Sequence, residues 1–331
     1  MPLRVGVTGP TGEIGMSTIS ALEDHPEVTH IVGMARRPFD PAGRGWSKTI
    51  YRQGDILDRD AVDSLVEDVD VVVHLAFVIM GSREESARVN LAGTRNVFAA
   101  TVAADRPRRL VYTSSVAAYG YHSDNPTPIT EDVPPRGSPE HYYSEQKAAC
   151  ETALTELTSG TPLEVFVLRP CIVAGPKAPA LADAMPWNRL PDPLRRVTRA
   201  LPLVKPVIPD PGTPMQLVHH DDVAAAVALA VTTESAPPGA YNIAGDGLVS
   251  ISDVGLALGA VPIKVPRVAA VAASAVISRL PFLPSALEWL HAGRTTVVMD
   301  TTKAKNQLGW RPKYTAAETL SMLGASVGSQ S

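Results

Sequence analysis

Gly9, Gly12 and Gly15 constrain this chain more than any other feature. They stand directly behind the short apolar run Leu3–Thr8, which reads as a strand, and ahead of Met16–Leu22, which continues as a helix. Strand, glycine turn and helix in that order open a dinucleotide-binding unit. Gly9 permits the tight turn out of the strand. Gly12 lets the backbone come close to a pyrophosphate, and Gly15 lets helix and strand pack closely. The free N–H groups at the helix start then face the phosphates.

The chain repeats this alternation. Thr29–Ala35 and Thr49–Gln53 read as strands, Asp60–Val66 as a helix, and Val71–Ala76 as an almost unbroken apolar strand of the kind buried on both faces. A helix over Arg88–Ala104 and strands over Arg109–Ser114 and Leu163–Leu168 complete the pattern. The fold class expected is α/β, a Rossmann-type doubly wound parallel sheet over residues 1–175. Prolines crowd Pro176–Pro214, broken by the basic-apolar segment Leu194–Leu201, and proline removes the donors that a central strand needs. Residues 176–331 are therefore expected to form mainly a smaller substrate-binding lobe and lid, with some segments returning to the main sheet. Within it Gln216–Asp222 resumes regular structure, Val223–Val231 and Ile251–Gly259 suit helices, and Ala240–Ala244 and Val297–Met299 suit strands.

Composition narrows the partners. A hydrophobic content of 45% suffices for a large core, and the net charge of −4, with both signs interspersed, leaves no basic footprint for nucleic acid. The only cysteines, Cys150 and Cys171, lack ligand spacing and suit a reducing cytosol. No leader is evident at the start, and Val268–Ile277 is too short to span a bilayer and reads as a buried helix. A cytoplasmic protein without membrane contact is expected.

Two stretches carry chemistry. Thr113-Ser114-Ser115 ends a strand, where hydroxyls face the ligand crevice, and Tyr143 and Lys147 are four apart on one helical face. A tyrosine exchanging a proton near neutrality needs its pKa brought down, and a neighbouring ammonium does so by favouring the phenolate. A serine hydroxyl can then hold the substrate oxygen while hydride moves to or from a nicotinamide. Behind the second strand Ala35 stands where an acid would hold an NAD ribose, and Arg36 and Arg37 follow it, a pair suited to a 2′-phosphate. NADP(H) is the expected cofactor, with NAD admissible.

Thr8-Gly9-x-x-Gly12-x-x-Gly15, Asp55-Ile56, His74-Leu75-Ala76, Asn90 with Gly93-Thr94, Ser114-Ser115 with Tyr119-Gly120, Tyr143-x-x-x-Lys147 and Arg169-Pro170 follow one another in order. In this the chain resembles the extended short-chain dehydrogenase/reductase family, which includes the NAD(P)-dependent epimerases and dehydratases. Weaker echoes run through Val218-His219-x-Asp221-Asp222 to Leu308-Gly309-Trp310-x-Pro312. The resemblance implies that Tyr143 is the catalytic acid/base, that Lys147 is its partner and holds the nicotinamide ribose, and that Ser115, four residues before Tyr119, supplies the catalytic hydroxyl. It implies that Asp55 and Ile56 contact adenine and that Leu75 and Ala76 line the cofactor by backbone. Gly9, Thr11, Gly12, Glu13, Ile14, Asn90, Ser114 and Pro170 join them in the implied cofactor set.

Other residues invite structural readings. His219 and His220, adjacent on a strand, are expected on opposite faces, so no metal site is expected. Asp221-Asp222 reads as a helix N-cap, His74 as a structural hydrogen-bond donor, Cys171 as core-facing and Tyr142 as packing.

The function expected is an NADP(H)-dependent oxidoreductase acting on a ketone or secondary alcohol of a small, partly apolar metabolite. The alternative is a nucleotide-sugar epimerase or dehydratase that recycles its hydride internally. Sugar-nucleotide members of the family carry an arginine just before the Val-His stretch, where Met215 and Gln216 stand here, and their dehydratases place acids where this chain has Val116-Ala117-Ala118. The remaining basic candidates for a diphosphate are Arg189, Arg195, Arg196, Arg199, Lys205 and Arg294. A cofactor sensor without turnover would need no intact Ser115, Tyr143 and Lys147 set. By analogy with the family, a homodimer would form through Leu91–Ala104 and Tyr143–Thr158.

Overall fold

The structure is a computed structural model and describes residues 2–79, 83–185, 187, 205–266 and 297–329. Its first half alternates β1 (Leu3–Thr8), α1 (Glu13–Glu23), β2 (Val28–Ala35), β3 (Thr49–Gln53), α2 (Arg59–Val66) and β4 (Val71–His74). Helix α3 (Arg83–Ala87) runs through a π-helical stretch (Arg88–Gly93) into α4 (Thr94–Ala103). Then come β5 (Arg109–Thr113), α5 (Tyr142–Thr158) and β6 (Glu164–Pro170). The helix expected to begin at Arg88 thus begins earlier and is interrupted by the π-helical stretch.

The second half contains β7 (Ile172–Ala174), α6 (Ala180–Asp183), β8 (Val207–Asp210), β9 (Pro214–Met215), β10 (Leu217–His219) and α7 (His220–Thr232). It closes with β11 (Gly239–Ile243), β12 (Val249–Ser250), α8 (Ile251–Ala257), β13 (Val261–Lys264), α9 (Thr302–Gln307) and α10 (Ala316–Ser329).

Seven strands form one sheet in the order β11-β6-β5-β4-β1-β2-β3, and every pairing in it is parallel. The chain starts in the middle, winds out to β3, and returns across β1 to β4, β5, β6 and β11. The order reverses beside β1, and the crevice outside the strand ends there is where ligands of such sheets bind. Because side chains alternate along a strand, β4 feeds two cores at once. Val71 and Val73 join α1 and α7 on one face, while Val72 joins α2, α4 and α5 on the other. That double burial explains the unbroken apolar run.

The second half also makes three two-stranded sheets, β10-β7, β12-β9 and β13-β8, with a small core around Leu217, Val249, Leu320 and Leu323. The strand expected at Val297–Met299 is not formed. Met299 makes only an isolated bridge to Ile129, because its backbone N–H and C=O are taken by the Gln216 side chain. The readings made for Leu194–Leu201 and Val268–Ile277 lie outside the described residues. Among the described residues no helix is long and apolar enough to cross a membrane.

Candidate active site

The three glycines are held for different reasons. Gly9 has φ +73°, and a Cβ there would come 2.8 Å from the Ala76 nitrogen. A Cβ on Gly15 would overlap the Gly9 carbonyl oxygen and lie 2.8 Å from the Pro10 carbonyl carbon. Both are demanded by the turn itself. Gly12 is the N-cap of α1 at φ −75°, ψ 173°, and a Cβ there would meet only the Gly9 oxygen at 3.5 Å, an ordinary contact. Nothing in the protein requires glycine at this position. The bare backbone at the head of α1 leaves the close approach that a pyrophosphate needs, and the residues present fit a dinucleotide. Thr11 beside it is exposed and Ile14 packs into the core.

Glu13 points elsewhere. Its carboxylate accepts from the Ala180 N–H at 2.9 Å, and burial raises its pKa. One turn on, Ser17 Oγ is 2.8 Å from His220 Nδ1, and His220 Nε2 accepts from the Lys177 N–H at 3.2 Å. Helix α1 is thereby tied to the 177–180 segment of the second half.

At the other end of the cofactor cleft, β2 finishes at buried Ala35, and Arg36 and Arg37 are exposed. Asp55 accepts from the Leu57 N–H at 3.0 Å, while Ile56 is buried in the core below it. Leu75 and Ala76 leave β4 pinned to Thr8, the Leu75 N–H donating to the Thr8 carbonyl at 3.2 Å. Asn90 is fully buried and spends its whole amide on the protein. It accepts from Val78 N–H at 2.7 Å and donates to the Val78 carbonyl and to Gln146 Oε1. This side chain fixes the backbone that follows Ala76.

Ser115, Tyr143 and Lys147 converge. Ser115 lies near enough to the Tyr143 phenol to favour its ionised form, and Ser115 Oγ accepts from the Ala117 N–H at 3.1 Å. Lys147, buried one turn along α5, donates to the Thr113 carbonyl at 3.0 Å, and its Nζ lies 5.9 Å from the Tyr143 ring centre. Burial pushes the Lys147 pKa down to about 8. Burial pushes Tyr143 up to about 12, the neighbouring Ser115 hydroxyl opposing it. The expectation that Lys147 brings the phenol down is thus not met in the free protein. Desolvation of the phenolate outweighs an ammonium that bonds a carbonyl rather than the phenol.

Beneath the pair lies a buried ion pair that the sequence reading missed. Glu151 and Arg169 meet at 2.6 Å, and Glu151 also accepts from Ser114 Oγ at 2.5 Å. Tyr143, Lys147 and Glu151 are spaced 143/147/151, so one face of α5 carries the two reactive groups and the carboxylate that fixes the serine strand. That spacing was visible in the sequence. Ser114 is a strut, leaving the Ser115 hydroxyl proton uncommitted to Glu151. Arg169 stacks over Tyr119 at 4.6 Å, and Pro170 follows it at the end of β6. Phe77 was also missed. Its ring centre lies 3.6 Å from Lys147 Nζ.

His219 and His220 do not face opposite ways. Their ring centres are 4.1 Å apart, because His219 ends β10 and His220 begins α7, where the alternation of a strand stops. His219 is the N-cap, accepting from the Asp221 N–H, while Asp222 accepts from the N–H groups of Lys313 and Tyr314. Among the described residues, His219, His220 and Asp221 alone bring three metal-ligating atoms within 4.8 Å of one another, and both histidines already hold hydrogen bonds there. His74 bridges the hydroxyls of Thr8 and Thr94, and burial lowers its pKa to about 3. Cys171 is buried. Tyr142 is buried and donates to the Ile79 carbonyl at 2.9 Å. Lys205 is exposed, and Arg189, Arg195, Arg196, Arg199 and Arg294 lie outside the described residues.

Known proteins share this sequence pattern and fold. The NAD dependent epimerase/dehydratase family model matches residues 5–244. An uncharacterized protein of Sinorhizobium fredii is 27% identical over 299 residues, spanning 86% of this chain and 70% of the relative. The L-arabinose 1-dehydrogenase (NAD(P)(+)) of Haloferax volcanii is 31% identical over 182 residues, 50% of this chain and 65% of the relative. Among solved structures, the UDP-glucuronic acid 4-epimerase of Bacillus cereus in complex with NAD has a TM-score of 0.73 at 20% identity and covers 99% of both chains. Sheet, glycine turn and family match lead to one conclusion: the chain belongs to the NAD dependent epimerase/dehydratase family and is an NAD(P)-dependent oxidoreductase/epimerase of the extended short-chain dehydrogenase/reductase type.

Proposed function

We propose that this enzyme withdraws hydride from a secondary hydroxyl of a sugar-type substrate and returns it to the same molecule, as an epimerase does. The observation that carries this reading is the placement of Lys147 one helical turn from Tyr143 on α5, its Nζ 5.9 Å from the Tyr143 ring centre, with Ser115 beside the phenol. Bound NAD(P) supplies the hydride acceptor and donor. Ser115 holds the substrate oxygen. Tyr143 keeps its proton at neutrality, so it is poised to donate to a carbonyl oxygen, and taking a proton back requires nearby positive charge to stabilise the phenolate. Lys147, still largely protonated at pH 7 with its pKa near about 8, supplies that charge from this chain. The family and the Bacillus cereus epimerase favour internal return of the hydride. Val116, Ala117 and Ala118 place no acid behind Ser115, which favours epimerisation over dehydration.

Net oxidoreduction of a small ketone or secondary alcohol is the second reading, favoured by Gln216. Its amide nitrogen and oxygen both bond the backbone of Met299, 83 residues away, which holds the side chain against the protein. For either reaction NADP(H) is the cofactor proposed. Ala35 offers no carboxylate to a ribose, and Arg36 and Arg37 stand exposed behind it.

Cofactor stoichiometry tests the two. Incubated with UDP-hexoses and trace cofactor, an epimerase inverts a carbinol centre without accumulating NAD(P)H. Stoichiometric NAD(P)H formation, or turnover confined to simple ketones, overturns the first reading. Tyr143→Phe is expected to lose at least about 100-fold in turnover with cofactor affinity kept, and near-normal turnover would refute the assignment.

A further inference from the structure

Phe77 lies where the apolar run of β4 has already ended, in an irregular segment, yet the backbone directly after it is held from two sides. Asn90 bonds both the N–H and the carbonyl of Val78, and Tyr142 donates to the Ile79 carbonyl. Gln146 in turn anchors Asn90. Tyr142 and Gln146 are the immediate neighbours of Tyr143 and Lys147, so the helix that carries the reactive pair also sets where Phe77 sits. The result is specific. Lys147 Nζ stands 3.6 Å from the centre of the Phe77 ring, and the ring meets that of Tyr143 at 86° with centres 5.6 Å apart.

We propose that Phe77 is a positioning residue for the catalytic pair, its ring face holding the Lys147 ammonium and its ring plane bracing Tyr143. The proposal rests on the reading that Lys147 serves Tyr143. An ammonium buried in an apolar pocket is disfavoured against the neutral amine, and the negative face of an aromatic ring offsets part of that cost. The groups facing Lys147 are the Thr113 carbonyl, the rings of Tyr112 and Tyr143, Cys150 and Glu151 on its own helix, and His74 on β4. A phenol, a thiol and a histidine held neutral by burial give no full charge at pH 7, and Glu151 is occupied by Arg169. The Phe77 ring is the nearest of the aromatic faces.

The test reads Lys147 directly. In the full chain carrying 13C-lysine, the Cε resonance of Lys147, assigned with Lys147→Met, is followed against pH. Phe77→Leu, similar in bulk and without a ring face, should lower the titration midpoint by about one pH unit, a tenfold loss of proton affinity. Phe77→Tyr, which keeps the face, should leave it in place. A midpoint that Phe77→Leu does not move, or that both variants move alike, overturns the proposal. If Phe77→Leu does not fold, pentafluorophenylalanine at position 77 keeps the shape and inverts the ring's charge distribution. It should lower the midpoint too, and no shift overturns the proposal. No substrate is needed, so this failure would leave the Ser115–Tyr143–Lys147 reading intact. That reading falls separately if Tyr143→Phe turns over normally.

Discussion

Alanine at Gly12 and at Gly15 should separate binding from stability. At Gly15 the added methyl overlaps the Gly9 carbonyl and lies within 2.9 Å of Pro10 backbone atoms, so rigid main chain has to shift. Overpacking of this kind costs about 2–3 kcal/mol. At Gly12 the backbone is extended at φ −75°, and the methyl makes one ordinary contact. Alanine there removes unfolded-state freedom worth about 0.4–1 kcal/mol, while it is a poorer N-cap than glycine by about 0.5 kcal/mol. Stability should therefore stay within about 0.5 kcal/mol of the parent. The same methyl stands where a pyrophosphate approaches, and affinity should fall at least about tenfold, or about 1.4 kcal/mol. Urea unfolding without cofactor measures the first effect, and titration of NADPH fluorescence the second. If Gly12→Ala binds NADPH normally, or loses as much stability as Gly15→Ala, the division of labour among these glycines is wrong.

NADPH should bind more tightly than NADH, and Arg36→Ala should narrow the gap; equal affinities in the parent protein would refute the role given to Arg36 and Arg37. His74 is held neutral with its pKa pushed down to about 3, whereas in the unfolded chain it protonates near about 6.5. Its contribution is thus complete above pH 6.5 and is lost on acidification toward pH 3, at about 1.4 kcal/mol per pH unit once the unfolded form is protonated. Buried His219, lowered to about 4, acts in the same direction, so urea midpoints that are flat between pH 7 and 5 would contradict both. Glu151→Leu leaves the Arg169 guanidinium buried without its partner and should cost about 3–5 kcal/mol in thermal or urea unfolding. A loss below about 1 kcal/mol would show that the pair is dispensable.

The cofactor half was readable because its determinants are local. A glycine turn, an apolar run buried on both faces and a four-residue helical spacing each declare themselves within a few positions, and all three stand where they were expected. What failed depended on distant partners. His219 and His220 looked like strand neighbours, but the strand ends between them. The bonds of the Asn90 amide to Val78 and Gln146 likewise could not be read locally. Val297–Met299 has the composition of a strand, yet Gln216 captures its backbone. Phe77 carried no signal, since its place against Lys147 arises only when β4 and α5 meet. The pKa of Tyr143 was misjudged for a related reason: spacing shows that an ammonium is near and does not show how much water the fold removes.

The tie between α1 and the segment behind β7 has a consequence for how this enzyme can change. Glu13 and His220 reach across to hold it, and what they grip are main-chain N–H groups, at Ala180 and Lys177. A grip of that kind is indifferent to the side chains at those two positions. Those side chains can be exchanged while the attachment of the segment to α1 is preserved. Only proline would break the tie, by removing the N–H. Prolines do stand at 176 and 179, one residue short of each bonded position. Sequence can thus drift on one side of the seam at little risk to the other.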